Sequence, residues 1–224
     1  KQQTFKRIEN FVSPDCILAT NTSSLSVASI ASSCARPERV LGIHWAEPAH
    51  ITRFMEVICG NESDLQYAYQ IGALAESWGK EPSLLKKDIR GFITNRIMYA
   101  MLRESFHLVE NGYATMEDVD RSLRNDLGYW ITFAGPFRFM DLTGIPAYLT
   151  VMKDLFPELS NADQAPKLME ELVASGAKGV SNAQGFYPYT PQSAEHWEEK
   201  FIEFSYDIRK LAKKYSQNTS DDEK

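Results

Sequence analysis

The chain of 224 residues is 43% hydrophobic and 12% aromatic, and its formal net charge at pH 7 is −6. This apolar content predicts a globular protein of one large domain or two small ones, and the acidic balance argues against a nucleic acid as partner. No apolar run approaches the roughly 20 residues that span a bilayer, so we expect no membrane partner.

The three cysteines, Cys16, Cys34 and Cys59, are odd in number and lack the spacing of metal ligands. They are typical of reduced thiols in a protein that binds no metal. The first ten residues, KQQTFKRIEN, show no secretory signal pattern. Together these features predict a cytoplasmic protein.

The first part of the chain alternates between helical and strand patterns. A helix that presents Phe5, Ile8 and Phe11 on one face is stopped by Pro14. The strands predicted after it are 16–20, Val40–His44, Phe54–Cys59 and 82–85, and the helices are 24–32 and 65–78. This alternation is typical of half of an α/β sheet.

From Gly91 onward the pattern is helical. The residues Ile93, Ile97, Met101 and Leu108 predict a long amphipathic helix that ends near Gly112. Further helices are predicted after the N-cap Thr115, from Gly135, over Lys167–Ala174 and along the apolar stripe 197–211. The polar residues 216–224 are predicted to be a disordered tail.

Chemically capable side chains follow neighbouring strands between Asn21 and Glu56. One apolar run ends at Asn21, Thr22 and Ser23, a second ends at His44, and a third carries Glu56. Ligands of α/β sheets bind at the carboxyl ends of the strands, so we expect these residues to meet there. A histidine with hydroxyl and carboxylate neighbours can transfer a proton.

Structural interpretations of the same residues remain open from the sequence. His44 could simply hydrogen-bond a loop, and Glu56 could be a surface residue beside Arg53. Ser23 could cap the following helix, as Asn95 could cap the long one.

The strings NTSSL, GIHWAEP, MEV, GFITNR, AGPFRFMDLTG and GFYPY occur in this order. In these strings and their order, the chain resembles the NAD-dependent 3-hydroxyacyl-CoA dehydrogenases, and in particular the 3-hydroxybutyryl-CoA dehydrogenases. The specific part of the match is the set formed by NTSS, a histidine 21 residues after Ser23, a glutamate 12 residues after that histidine, and GFI-x-NR.

The resemblance implies an α/β plus all-α fold. Residues 1–89 would be the C-terminal portion of a Rossmann-type NAD-binding domain, and 90–215 a helical domain for dimerisation and substrate binding. No G-x-G-x-x-G turn occurs in the chain. Since that turn holds the pyrophosphate of a dinucleotide, the resemblance implies a preceding stretch on the order of a hundred residues, without which the chain would be inactive.

The resemblance also implies a function: oxidation of a 3-hydroxyacyl-CoA to the 3-oxoacyl-CoA by a homodimer that uses NAD, within fatty acid metabolism. In that family His44 matches the general base and Glu56 its partner. Ser23 matches a residue that contacts substrate beside the nicotinamide, and Asn95 one that positions the substrate carbonyl. The residues matched to cofactor binding are Lys1, Asn21 and Ser23.

One departure from the family lies directly after the histidine. The family usually has HFFNP, whereas this chain has HWAEP, with Glu47 in place of asparagine. A carboxylate there would change the charge beside His44, so we predict that Glu47 affects substrate choice; alternatively it turns to solvent or pairs with Arg53. Other 3-hydroxy acids, of the carnitine or gulonate type, are alternative substrates, and a non-catalytic helical assembly module is the alternative class.

Overall fold

A computed structural model describes residues 1–23 and 25–215, and it forms two compact units. The first unit is Lys1–Tyr99 and the second begins at Ala100. The domain boundary expected between residues 89 and 90 stays a prediction, and the tail expected at 216–224 lies outside the described residues. Among the helices of the described part, none is long and apolar enough to cross a membrane.

The first unit contains a four-stranded mixed sheet in which the strands follow chain order. The strands are β1 (Leu18–Thr20), β2 (Val40–His44), β3 (Phe54–Cys59) and β4 (Glu81–Leu85). The pairs β1–β2 and β3–β4 are parallel, and β2–β3 is antiparallel. The predicted bounds of β2 and β3 are confirmed, because each is a mostly apolar run buried on both faces of the sheet, interrupted only by His44 and Glu56.

Three helices pack on the sheet: α1 (Gln2–Ile8), α2 (Val27–Ala31) and α3 (Leu65–Ser77). Side chains alternate between the two faces of each strand. The odd-numbered residues of β2 and β3 form a core with α3 whose members are Leu41, Ile43, Met55, Val57, Cys59, Ala68, Ile71 and Ala75. The even-numbered residues, which include both His44 and Glu56, therefore share the opposite face.

On that opposite face, α2 lies very close to the sheet. A Cβ added to Gly42 would lie 2.8 Å from Val27 Cγ2, so only glycine leaves room for the helix. The Ser26 side chain caps α2 by accepting a hydrogen bond from the Ser29 amide, and its hydroxyl donates to Asp88 Oδ2 at 2.7 Å. These contacts hold the segment after Ser23 against the sheet.

A buried ion pair joins α1 to the start of β2. The Arg39 guanidinium donates to the Ser13 carbonyl at 2.7 Å and to Glu9 Oε1 at 3.4 Å. The Glu9 carboxylate also accepts from the amides of Ala35 and Arg36 at 2.7 and 2.9 Å. Burial raises the pKa of Glu9, but these hydrogen bonds outweigh burial and lower that pKa below its ordinary value of 4.5.

The rest of the described chain is helical. The helix α4 (Thr94–Glu110) begins in the first unit and continues into the second. The helices that follow are α5 (Met116–Asn125), α6 (Leu127–Ile131), α7 (Gly135–Thr143), α8 (Ile145–Leu155), α9 (Lys167–Ala174) and α10 (Pro191–Lys214). The Thr115 cap of α5, the start of α7 and the bounds of α9 are confirmed. The sequence pattern predicts neither α6 nor α8.

Candidate active site

Two buried polar residues lie opposite each other across β2 and β3. His44 is the last residue of β2, and in the antiparallel register it lies directly opposite Glu56. The expectation that Glu56 would lie at the carboxyl end of its strand is wrong. Glu56 is the third residue of β3, and the antiparallel pairing brings the amino-terminal part of β3 beside the carboxyl end of β2.

His44 is bonded through both ring nitrogens. Its Nδ1 lies 2.8 Å from Glu56 Oε2, and its Nε2 lies 3.1 Å from Ser23 Oγ. An ionised carboxylate only accepts hydrogen bonds, so the proton of the neutral imidazole lies on Nδ1 and Nε2 accepts from the Ser23 hydroxyl. The side chains are deeply enclosed, with His44 6% exposed and Glu56 0%. The interpretation of Glu56 as a surface residue is therefore wrong.

Glu56 also binds the first turn of α4. Its second oxygen, Oε1, accepts from the amides of Ile93 and Thr94 at 3.1 and 3.0 Å. The positive end of the helix macrodipole adds to the stabilisation of the carboxylate charge. Sequence reasoning missed these two donors, because a backbone amide has no residue type that identifies it.

The turn that aims these amides has two successive residues with positive φ. Gly91 has φ of 85° and Phe92 has φ of 53°, and the latter value is uncommon for a bulky residue. The buried Phe92 ring packs edge-on to His44 with 5.3 Å between ring centroids, and Phe54 does so with 5.6 Å. Two aromatic rings therefore fix the plane of the imidazole, and the sequence analysis identified neither.

The other predicted site residues lie near the carboxyl end of β1. The Asn95 amide group donates to the Ser23 carbonyl at 3.4 Å, which is a long hydrogen bond. The Lys1 ammonium lies 3.2 Å from both Thr20 Oγ1 and the Asn21 carbonyl. The structure thus brings the Ser23 side chain to His44, the Asn95 amide to the Ser23 backbone, and Lys1 to Asn21.

Glu47 lies in the segment between β2 and β3, three residues after His44. Its side chain is exposed, and within residues 1–23 and 25–215 it makes no hydrogen bond or ion pair. The Arg53 guanidinium pairs instead with Glu81. Glu47 is therefore a solvent-facing charge three residues along the chain from His44, and its effect on substrate choice stays a prediction.

A separate cavity of about 290 Å³ lies wholly in the second unit. Its lining is mostly apolar and includes Phe106, Leu123 and Phe186. At its wall the Tyr187 hydroxyl donates to Asp120 Oδ2 at 2.7 Å, and this bond raises the pKa of Tyr187 to about 12. The cavity is lined by no histidine, and its one carboxylate, Asp120, already accepts the hydrogen bond from Tyr187, so His44 remains the better candidate.

Residues 1–89 match the family of the 3-hydroxyacyl-CoA dehydrogenase NAD binding domain, and residues 91–189 match that of the C-terminal domain of the same enzymes. A 5-formyl-3-hydroxy-2-methylpyridine 4-carboxylate 5-dehydrogenase from Mesorhizobium japonicum is 33% identical over 87% of this chain and 63% of its own length. A probable 3-hydroxybutyryl-CoA dehydrogenase from Bacillus subtilis is 31% identical over 87% of this chain and 67% of its own. The chain thus spans about two thirds of these relatives.

Solved structures agree with these matches. A crystal structure of a 5-formyl-3-hydroxy-2-methylpyridine 4-carboxylic acid 5-dehydrogenase has a TM-score of 0.90 at 31% identity, covering 95% of this chain and 69% of that one. The (S)-3-hydroxybutyryl-CoA dehydrogenase of Ralstonia eutropha has a TM-score of 0.64 at 30% identity, covering 84% and 65%. The predicted α/β plus all-α architecture, with part of a Rossmann-type domain followed by helices, is confirmed. The chain belongs to the NAD-dependent 3-hydroxyacyl-CoA dehydrogenase family.

Proposed function

We propose that the protein oxidises a 3-hydroxyacyl-CoA to the 3-oxoacyl-CoA with NAD, in fatty acid metabolism, and that His44 is the general base. The observation that carries the proposal is the pair of hydrogen bonds on His44, with Glu56 on Nδ1 and Ser23 on Nε2. A secondary alcohol can be oxidised only if its hydroxyl proton has an acceptor while hydride leaves the same carbon. The basic Nε2 is oriented for that task.

Each side chain has a distinct part in the proton transfer. The substrate hydroxyl proton passes to His44 Nε2, and the imidazole becomes an imidazolium. The buried Glu56 carboxylate stabilises that positive charge and holds the ring in one tautomer. Ser23 hydrogen-bonds the reacting oxygen, which a hydroxyl does without competing as a base. When bound, NAD supplies the acceptor for the hydride.

The residues at the end of β1 suit the nicotinamide end of NAD. The Asn21 side chain and the Ser23 hydroxyl follow β1 at the edge where His44 lies, and the exposed Lys1 ammonium donates to the Asn21 carbonyl. An ammonium favours phosphate, and amide and hydroxyl groups are complementary to a carboxamide. Lys1, Asn21 and Ser23 are therefore proposed to hold the cofactor at this end.

Substrate contacts are proposed for Asn95 and Glu47. The Asn95 amide already lies beside the Ser23 backbone, so its NH₂ group can reach a carbonyl oxygen next to the reacting carbon. Glu47 adds an exposed negative charge close to the base. Because CoA carries several phosphate charges, that carboxylate lowers affinity for it.

The experiment that tests the proposal is a steady-state assay of the complete protein with 3-hydroxybutyryl-CoA, longer 3-hydroxyacyl-CoA esters, and free 3-hydroxy acids. NADH formation is followed by its absorbance. We expect turnover with NAD and a thioester. If only free acids of the carnitine or gulonate type are oxidised, the proposed substrate class is wrong, but the assignment of His44 as the general base stands. No turnover of any hydroxy compound would favour a non-catalytic assembly role.

A second candidate is oxidation of a pyridine aldehyde. It is favoured by the TM-score of 0.90 to the enzyme that acts on 5-formyl-3-hydroxy-2-methylpyridine 4-carboxylate. The hydrate of an aldehyde has a hydroxyl on the carbon that gives up hydride, so the same base serves both reactions. Comparing kcat/KM for this aldehyde and for 3-hydroxybutyryl-CoA on one preparation decides between them.

A homodimer is proposed from the surface of the second unit. Large apolar side chains there are exposed, among them Tyr129 at 82% and Phe137 at 79%. Many exposed apolar side chains on one unit indicate an interaction site, and a second copy of the chain is the simplest partner. A cytoplasmic location is proposed because Cys16, Cys34 and Cys59 are free thiols, which suit a reducing compartment.

A further inference from the structure

Lys80 is a buried lysine outside the group of residues assigned to the chemistry. It directly precedes β4 and is only 8% exposed. Its ammonium donates to the carbonyls of Ala49 and Thr52, and it lies 5.2 Å from the centroid of the Trp45 ring. All three contacts are with one segment, residues 45–53 between β2 and β3, which we name the 45–53 loop.

A buried ammonium is costly unless its protons find acceptors, and a loop carbonyl without a donor is costly for the same reason. Inside the loop, the amides of Ile51 and Thr52 both donate to the Pro48 carbonyl at 3.0 and 3.1 Å. The carbonyls of Ala49 and Thr52 are directed to the Lys80 ammonium instead. The Trp45 ring face adds a cation–π contact. The Lys80 ammonium therefore satisfies two carbonyl acceptors of the loop and also contacts its Trp45 ring.

The loop lies at the sheet edge that holds the base. It begins immediately after His44, at the carboxyl end of β2. Because Phe54 of β3 pairs with Glu81 of β4, Lys80 precedes β4 at that same edge. The Glu81 amide donates to the Arg53 carbonyl at 2.8 Å, so the end of the loop is fixed beside the lysine that holds its middle.

We propose that Lys80 is a positioning residue for the oxidation, and that it holds the 45–53 loop as a fixed wall beside His44. This inference rests on the proposed function. The ammonium of Lys80 contacts the loop, whereas the partners of the imidazole ring nitrogens are Glu56 and Ser23. Loss of the ammonium therefore weakens substrate binding, while the proton transfer step keeps its geometry.

The test replaces Lys80 by methionine in the complete protein. Methionine keeps most of the apolar stem and removes the charge and all three donors. We expect KM for the acyl substrate to rise about tenfold, the size expected for a lost charge-assisted hydrogen bond, with kcat changed by less than about threefold. Amide hydrogen exchange in the 45–53 loop becomes faster, and exchange in β2 and β3 does not.

The matched control is Lys86→Met, which removes an exposed lysine just after the same strand. It should leave KM, kcat and loop exchange at wild-type values. A chemical rescue separates the ammonium from general packing: Lys80→Cys, alkylated with 2-bromoethylamine, regains an ammonium on a side chain of nearly equal length. Wild type treated in the same way corrects for the native cysteines. Recovery of KM and of slow loop exchange is expected.

Unchanged KM and unchanged exchange in Lys80→Met overturn the proposal, as does a fall in kcat without a change in KM. If Lys80→Met is insoluble, Lys80→Arg carries the test. A planar guanidinium keeps the charge but not the compact geometry, so KM rises roughly threefold and loop exchange quickens. If no hydroxy compound is oxidised, the proposed function and the effect on substrate affinity both fall, whereas the exchange measurement still reports whether Lys80 holds the loop.

Discussion

The two units of the chain are stabilised in different ways. In the first, the strands β2 and β3 are buried, and charged groups in or beside them form hydrogen bonds: Glu56 to His44 and the start of α4, Lys80 to the 45–53 loop, and Arg39 to Glu9. In the second, α6, α7, α8 and α9 contain no buried residue, and large apolar side chains face outward.

From this difference we expect catalysis to belong to the first unit and association to the second. A buried charged group that is hydrogen-bonded on both sides, as Glu56 is, holds a reacting geometry, since an unpaired partner inside a protein costs more than the pair itself contributes. Exposed apolar helix faces cannot fix a proton donor, but they can bury area against another surface. Mutations in the first unit should therefore affect turnover or folding, and mutations on the second unit's surface should affect association.

The largest expected effect is that of His44→Gln in the complete protein. Removal of the base should lower kcat by about 10²–10⁴-fold, the range of a positioned general base. The affinity for NAD should change by less than about twofold, because the base acts in the transition state. His196→Gln, at an exposed histidine of α10, is the control for the substitution itself. Retained turnover on every hydroxy substrate in His44→Gln would exclude His44 as the base.

The next effect is that of Glu56→Gln on stability. Both Glu56 oxygens accept from N–H groups, and a glutamine has one oxygen and an NH₂ group that faces those same donors. We expect a loss of about 2–3 kcal/mol in the free energy of unfolding, with kcat reduced less than in His44→Gln. Urea denaturation measures the free energy of unfolding. Glu62→Gln, on the exposed segment after β3, should match wild type.

The resemblance to the family predicted the pair formed by His44 and Glu56, but the way the pair forms was not predicted. Apolar runs and their spacing located β2 and β3, because burial on both faces leaves a continuous apolar pattern. An apolar run does not show whether a strand pairs parallel or antiparallel with its neighbour. The antiparallel pairing that sets Glu56 opposite His44 was therefore not predicted. The two amides at the start of α4 were missed because any residue type can supply a backbone donor.

The sequence also did not predict the Lys80 contacts or the helices α6 and α8, each for its own reason. Lys80 and the 45–53 loop are about 30 residues apart, so their contact depends on the pairing of β3 with β4. The helix α6 has only five residues, which is too short for a helical period to be recognised. The helix α8 contains Pro146 in its first turn, where proline is tolerated although it usually indicates a helix end.

Substitution of an exposed aromatic residue tests whether the second unit, and not the first, mediates association. Phe137→Ser in α7 should weaken homodimerisation roughly tenfold or more, because aromatic residues dominate interface energies. Phe11→Ser is a matched control, since Phe11 is 83% exposed but belongs to the first unit. Sedimentation velocity over a concentration series gives both dissociation constants. Equal effects of the two substitutions, or a monomer in wild type, would refute the assignment of association to the second unit.

A pH dependence is expected from Glu9 in the first unit. Its folded-state pKa is lowered, so its stabilising contribution is complete above the unfolded value near 4.5 and is lost as the pH falls through the folded value. Glu9→Gln should cost about 1 kcal/mol at neutral pH. The difference from wild type should shrink as the pH falls below about 4.5. Urea denaturation across this pH range measures the difference, and a pH-independent difference would show that the ion pair with Arg39 does not contribute.

The smallest expected effect is on specificity, at Glu47. Glu47→Asn removes one exposed negative charge near His44, so kcat/KM for 3-hydroxybutyryl-CoA should rise by a few-fold at low ionic strength. The gain should fall as salt is added, because exposed charges are screened over about 10 Å at 0.1 M. Glu62→Asn removes an equal charge from the exposed segment after β3 and serves as the control. If both substitutions give the same gain, the effect is one of net charge. If neither substitution raises kcat/KM, the solvent-facing Glu47 has no influence on the substrate, and substrate preference is set by the residues that contact the substrate.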